Sequence, residues 1–434
     1  MAFLGMRGNG DWVTDQRPKS YRESILFLYP NGMVPLTAIL AKLKSQSVDD
    51  PEFNWWTKSL ATQAAAITGV YTDAALSSAY TSGGVVGSIL YIKMAAASVA
   101  EFRIGHQVLL RDASDFTVDV NAKVTGKQTA GAASYVQVKL LEADDNSAYS
   151  HDLSDADRIL IIGNINEEGA AMPNAIAYDP VKLYNYTQIF RTPLSITRTA
   201  RKTKLRTGDQ YKEAKREALE LHSIEMEKAF LFGQKLETTG SDGKPERTTQ
   251  GIINCLRENV PANISDFSLD ATYDGKAWLD DGGGEAWLDA YLELVFRYGS
   301  GDKLALCGSG ALMGMNKLAK AGSHFTLTPS TKSYGIKVLE WVTPFGTINM
   351  KTHPLFSLEP SLRNSMLILE PANLSYRYID DTQFYAEGAA KQAAPGTNSG
   401  RRDGTVEEFL TEAGLEMHHP STMMFLNGLG RDNA

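Results

Sequence analysis

Few residues of this 434-residue chain are of a type and spacing that could do chemistry. Gly308, Gly310 and Gly314 follow the apolar run Leu304 to Cys307 and precede a helical pattern, the setting in which glycines cradle a dinucleotide pyrophosphate. That fingerprint needs its third glycine three residues after the second, yet Met313 stands there and Gly314 falls one residue late. About 20 residues on, where an acidic side chain would hold a ribose, the chain reads Pro329, Ser330, Thr331. An ordinary strand-to-helix turn is the simpler reading, with a nucleotide-binding enzyme as its alternative. Gly240-Ser241-Asp242-Gly243-Lys244-Pro245 has the lysine of a phosphate loop without its spacing or its helix. The seven histidines (His106, His151, His222, His324, His353, His418, His419) show no metal-ligand spacing. His418-His419 before Pro420 reads as a turn, and Asp280-Asp281 lacks calcium-loop spacing. Cys255 and Cys307 each stand alone in apolar surroundings, as buried thiols do in a reducing compartment. No catalytic, cofactor-binding or metal-binding residue is assigned, and an enzyme is not the expectation.

The elements that would position such residues point elsewhere. The extended aromatic segment Tyr184-Asn185-Tyr186-Thr187-Gln188-Ile189-Phe190 runs into a basic connector, Arg198, Arg201, Lys202, Lys204 and Arg206. From Arg191 to Arg216 there are nine basic residues against Asp209 and Glu213 only, in a chain of net charge −8. Such a stripe could meet nucleic-acid phosphates or the acidic faces of other copies, or be a solvated junction. A helix is predicted over Thr207 to Gly233, capped by Thr207, with Tyr211, Ala214, Ala218, Leu221 and Ile224 as its apolar stripe. Lys212, Glu213, Arg216, Glu217, Glu220 and Glu227 make its charged face.

Residues 1 to about 52 read as an N-terminal arm with one short helix from Met33 to Leu43. Glu52 to Lys58 reads as a strand whose adjacent Trp55 and Trp56 point to opposite faces, so that one of them would meet a partner surface unless the strand is buried on both faces. Ala61 to Ala100 carries only Asp73 and Lys93, but its small residues and glycines are not a membrane span. From about 80 to 165, short strands (Val108–Leu110, Phe116–Val120, Tyr135–Leu141, Arg158–Ile162) between turn residues predict a small barrel or sandwich. Later come helices at Gly284–Arg297 and Leu312–Ala321, strands at Lys303–Cys307, Met366–Leu369 and Leu374–Ile379, a hairpin at Lys337–Thr352, a mobile stretch at Gly388–Gly404 and a closing strand at Glu408–Met417. The absence of a signal segment reads as a soluble cytosolic protein.

This order of parts resembles a tailed-phage major capsid protein of the Hong Kong 97 fold. Phe53-Asn54-Trp55-Trp56, Tyr184 to Phe190, Thr248-Thr249-Gln250-Gly251-Ile252, and Phe409 to Glu416 ahead of His419-Pro420 carry the resemblance, which spans nearly the whole chain. It implies an α+β fold: an N-arm (1–52), an E-loop (53–200) with an inserted all-β domain, a P-domain spine helix (201–250), a mainly A-domain segment (251–404) and a C-terminal return strand (405–434). It further implies pentamers and hexamers closing into an icosahedral shell around double-stranded DNA, within a virion assembled in the host cytoplasm. Phe53, Trp55, Trp56, Tyr184, Tyr186 and Phe190 become candidate assembly contacts, and the basic connector a contact for DNA or acidic neighbours. Expected partners are further copies of the chain, a portal, a separate scaffold, packaged DNA and a decoration protein. No cofactor, membrane or covalent cross-link is expected. An encapsulin-type compartment shell is the alternative within this class.

Overall fold

In the strands Asp119–Gln128 and Tyr135–Leu140 every second side chain turns inward: Val120, Ala122 and Val124 from one, Val136, Val138 and Leu140 from the other. A pleated strand with one covered face requires that alternation. The computed structural model describes residues 36, 45–58, 63–112, 119–144, 152–169, 172–203, 209–321, 327–333, 336–387 and 404–433. The chain divides into two compact units, Met1–Thr57 with Lys182–Ala434, and Lys58–Val181.

The smaller unit is a single antiparallel sheet. Its order is Ala64–Ala66, Arg158–Asn164, His106–Arg111, Asp119–Gln128, Tyr135–Leu140, Ile89–Lys93, Gly69–Tyr71. The first and last strands are consecutive in the chain. Between them Ile67 N–H donates to the Asp157 carbonyl at 2.7 Å and Thr68 N–H to the Lys93 carbonyl at 2.8 Å. One bent segment therefore pairs with both ends of the sheet and closes it as a barrel, which removes the exposed edge that an open sheet would carry. Leu90, Ile92, Val108, Leu110 and Ile159 fill the interior. The barrel starts at Ala64, ahead of the boundary near 80 that turn residues suggested, because strands of three small residues show no alternation to read.

The larger unit contains a four-stranded and a seven-stranded sheet, beside two two-stranded pairings. Four strands pair in the order Ser45–Ser47, Leu374–Glu387, Gly404–Met417, Gln188–Thr197. Seven pair in the order Ile264–Asp266, Met424–Asn427, Met366–Leu369, Asp302–Cys307, Gly346–Thr352, Ile336–Thr343, Leu327–Ser333, with parallel and antiparallel neighbours mixed. Consecutive apolar residues in its centre mean that both faces are covered. Leu304 and Leu306 join one core with Phe230, Ile252 and Phe356. Ala305 and Cys307, on the opposite face, join another with Trp287, Leu292 and Met315 from the helices Gly284–Phe296 and Ser309–Ala321. The architecture is mixed α+β.

A helix of 23 residues, Gln210–Phe232, packs on the four-stranded sheet and is about 35 Å long at 1.5 Å per residue. Asp209 caps it by accepting from Tyr211 N–H at 3.0 Å, while Thr207, the expected cap, lies outside the described residues. Gly233 ends it. Its early stripe is as predicted, with Ala218 buried and Tyr211 and Ala214 packed beside it on Leu194 and Phe409. Farther on the prediction fails: Leu221 faces solvent and Glu227, placed on the charged face, is fully buried. The buried line runs His222, Met226, Phe230, because polar partners wait in the core for His222 and Glu227. Apart from Leu36, the expected arm helix at 33–43 lies outside the described residues, as do 388–403.

Candidate assembly site

The segments that carried the resemblance meet at one buried amide, Asn185. Its Nδ2 donates to the Leu415 carbonyl at 2.8 Å, to the Gln250 carbonyl at 3.2 Å and to Thr249 Oγ1 at 3.3 Å. Its Oδ1 accepts from the N–H groups of Gln250 and Tyr186, both at 2.8 Å. The strand Val181–Tyr186 is thereby tied to the passage after the long helix and to the C-terminal strand. Close approach needs glycine here: a Cβ on Gly414 would sit 2.7 Å from the Tyr186 carbonyl oxygen and 2.8 Å from the Phe53 ring. Gly251 is held likewise, its N–H on the Gly233 carbonyl at 2.8 Å.

The strand Glu52–Thr57 pairs with Val181–Tyr186 in a two-stranded ribbon. Its tryptophans do face opposite ways: Trp55 is 6% exposed and Trp56 is 64% exposed. Burial removes three of the candidate contacts from the surface. Phe53 stacks on Trp55 with ring centres 6.0 Å apart, and Phe190 lies edge-on to Phe230 at 6.1 Å, so Phe53, Trp55 and Phe190 serve the interior of their own subunit. Trp56 and Tyr184 are exposed and Tyr186 is half-buried. Ile189, which the sequence reading passed over as a contact, is also exposed.

In the basic connector, Arg198, Arg201 and Lys202 are exposed on the short helix Arg198–Lys202, capped by Thr197. Lys204 and Arg206 lie outside the described residues. Much of the stripe is answered within the subunit. Arg191 pairs with Glu408 at 2.6 Å and Arg216 with Glu220 at 2.9 Å. Arg201 sits over the Tyr211 ring and Lys215 over the Phe384 ring.

Sequence reasoning missed the polar groups that hold the helix. His222 lies between Thr192 Oγ1, 3.0 Å from Nδ1, and Thr411 Oγ1, 2.7 Å from Nε2. Burial pushes its pKa below the ordinary 6.5 against the opposing effect of Glu225. Glu227 Oε1 accepts from Leu36 N–H and meets His353 Nε2, both at 2.9 Å, with both side chains fully buried. For His222 the sequence signal was its place at i+4 from Ala218 in an otherwise apolar row, and Glu227 had none. Glu416 is another buried acid, bonded to Arg377 and His418. Burial alone would raise its pKa, but those two hydrogen bonds hold it below the usual carboxylate value.

Gly308, Gly310 and Gly314 serve packing. The Arg363 carbonyl accepts from the N–H groups of Gly310 at 2.9 Å and Ala311 at 3.1 Å, and Ser309 N–H is on Ser357 Oγ at 3.1 Å. These are the donors a phosphate would need. Gly314 lies against the backbone of Gly430, where a Cβ would come within 2.7 Å. The turn at His418-His419 is real, with His419 left-handed at φ 47° ahead of Pro420–Thr422. Both cysteines are free and buried, and burial pushes the Cys255 thiol up to about 12. Among the described residues no helix is long and apolar enough to cross a membrane.

An aromatic ribbon, a long helix locked to a sheet through buried polar groups, and a glycine turn whose amides bond within the chain suit a shell subunit, the class to which major capsid proteins belong. The chain belongs to the SU10 major capsid protein family, whose model matches residues 7–430. It is a phage major capsid protein and a component of the virion. It is 24% identical over 422 residues to a major capsid protein of Pseudomonas phage PaMx41, covering 95% of this chain and 92% of that one. Among solved structures it is similar to that of Mycobacterium phage Bobi, with TM-score 0.45, 6% identity and coverage of 97% and 98%. It is also similar to the capsid of Myoviridae phage XM1, with TM-score 0.41, 9% identity and coverage of 95% and 97%. The holo-SrpI encapsulin complex from Synechococcus elongatus PCC 7942 matches with TM-score 0.39 and 12% identity, over 58% of this chain and 78% of that one.

Proposed function

We propose that copies of this chain form pentamers and hexamers that close into an icosahedral head around double-stranded DNA, on a plan of the Hong Kong 97 type. In this reading residues 1–52 are the arm and the ribbon is the E-loop stem, with the barrel inserted between its strands. The long helix and four-stranded sheet are the P-domain, and the seven-stranded sheet with its helices is the A-domain. The strand Gln188–Thr197 is counted with the P-domain, because it pairs along its length with Gly404–Met417. The chain performs no catalysis here; a portal, a separate scaffold and a decoration protein complete its partners.

The observation that carries this reading is Trp56, an exposed indole back to back with a buried one on a ribbon. Tryptophan anchors interfaces, since it buries much area at little cost in side-chain freedom. Ring contacts between unlike surfaces propagate to a closed assembly. Trp56→Ala is expected to leave the subunit folded by circular dichroism yet abolish shells and rings in negative-stain microscopy and mass photometry. Shells at the wild-type yield would overturn the assignment of Trp56. The exposed Arg198, Arg201 and Lys202 are read as facing packaged DNA or an acidic neighbour; their reversal to glutamate separates these, since only the second impairs empty shells.

A further inference from the structure

The barrel unit carries a cleft that the shell reading does not use. Its volume is about 670 Å³, within the range of ligand pockets. One wall is basic: Arg103, Lys123 and Lys127, against Glu167 as the sole acid of the lining. Lys127 Nζ is fixed by the carbonyls of Phe102 at 2.6 Å and Ala100 at 3.2 Å, and Arg103 reaches the Asn174 carbonyl at 3.4 Å. Lys123 makes no ion pair among the described residues, and its direct cross-strand neighbours are Gln107 and another lysine, Lys139. Like charges placed opposite each other cost stability, which an arriving anion would recover. Asp119, on the strand that carries Lys123, pairs with Arg111, and Glu142 accepts from Asn121. The field is felt by His106, whose pKa is lowered by burial and then by the charges of Arg103 and Lys127.

The other wall is apolar and carries free backbone. Ile104 is 62% exposed and Met172 is 93% exposed, with Ile176 beside them in the lining. Residues 172–180 make no backbone–backbone hydrogen bond among the described residues. Among the described residues no aromatic side chain lines the cleft, whereas single-stranded nucleic acid uses aromatic stacking platforms.

We propose that this cleft binds an extended peptide segment that alternates carboxylate and apolar side chains, contributed by another polypeptide. Its carboxylates meet Lys123 and Arg103, its apolar side chains cover Ile104 and Met172, and its backbone pairs with residues 172–180. Charge recognition beside main-chain pairing is an established mode of peptide capture.

The test is fluorescence anisotropy on the full-length chain, with a labelled peptide of about ten residues alternating glutamate and leucine. Saturable binding that weakens at least about tenfold in Lys123→Glu, and by a smaller factor in Ile104→Ser, is the expected result. Lys123→Gln, which changes charge and little else, serves if the reversal disturbs folding, and the wild-type melting temperature certifies each variant. No binding at about millimolar peptide, or equal binding by wild type and both Lys123 variants, overturns the proposal. Preferential binding of an oligothymidylate of equal charge also overturns it, in favour of nucleic acid.

Discussion

The barrel interior is mainly valine, leucine and isoleucine, and its buried Tyr80 and Asp144 bond to each other at 2.6 Å and to amides of the same unit. The long helix instead places His222 and Glu227 in the middle of its buried face, and their partners come from far along the chain. Glu227 meets His353 at a separation of 126 residues and Leu36 at 191, and His222 meets Thr411 at 189. An apolar core tolerates small errors of register, whereas each buried polar group is costly unless its partner arrives. The barrel is therefore specified mainly by its own strands, and the helix by the rest of its unit.

Removing one partner tests that difference most severely. Glu227→Ala leaves His353 Nε2 and the Leu36 amide buried without their acceptor, and breaking such a group costs about 3–4 kcal/mol. Denaturant unfolding is expected to show that loss for the larger unit. Hydrogen exchange of the Tyr135–Leu140 amides in the barrel should be unchanged. A loss under about 1 kcal/mol would mean that the polar contacts are dispensable.

This contrast also explains what could be read in advance. Val136, Val138 and Leu140 announce a strand because their partners share their pattern. Met366–Leu369 was legible as a strand, and its unbroken burial appears only in the structure. Asn185 was visible only as one polar residue among tyrosines, since nothing local says that Leu415 and Gln250 supply its partners. Trp55 and Trp56 could be split between two faces by strand geometry alone, yet which one faced solvent depended on Phe53 and His418 packing against Trp55. The same ignorance of the far side put Glu227 on the wrong face of the helix.

The converse experiment is an apolar truncation in the barrel. Leu110 is fully buried in its interior, and Leu110→Ala should cost about 3 kcal/mol from lost transfer energy and the cavity left behind. The loss should be confined to residues 64–164, with the Gln210–Phe232 amides keeping their exchange protection. Equal loosening of both units would show them to be energetically one body and would remove the basis of the comparison.

The smallest effect is the pH dependence, and each region supplies one histidine for it. His222 is pushed below 6.5 chiefly by burial; the two flanking threonine hydroxyls can donate or accept, so geometry alone does not forbid the proton. His106 in the barrel is lowered by burial and then by Arg103 and Lys127. In both cases the unfolded chain takes up a proton at the ordinary value while the folded chain resists. Stability is therefore complete above pH 6.5 and falls as the pH drops below it, until the folded ring protonates as well. Glu416, held below 4.5, adds its own loss only in stronger acid. Unit-resolved hydrogen exchange between pH 7 and pH 5 should show a downward slope in both regions. His222→Gln should flatten it for the long helix only, and His106→Gln for the barrel only. Added salt should flatten the barrel's slope in part, since charges contribute there, and leave that of the helix nearly intact, since desolvation is not screened. A slope at the helix that survives His222→Gln would assign the proton to another group.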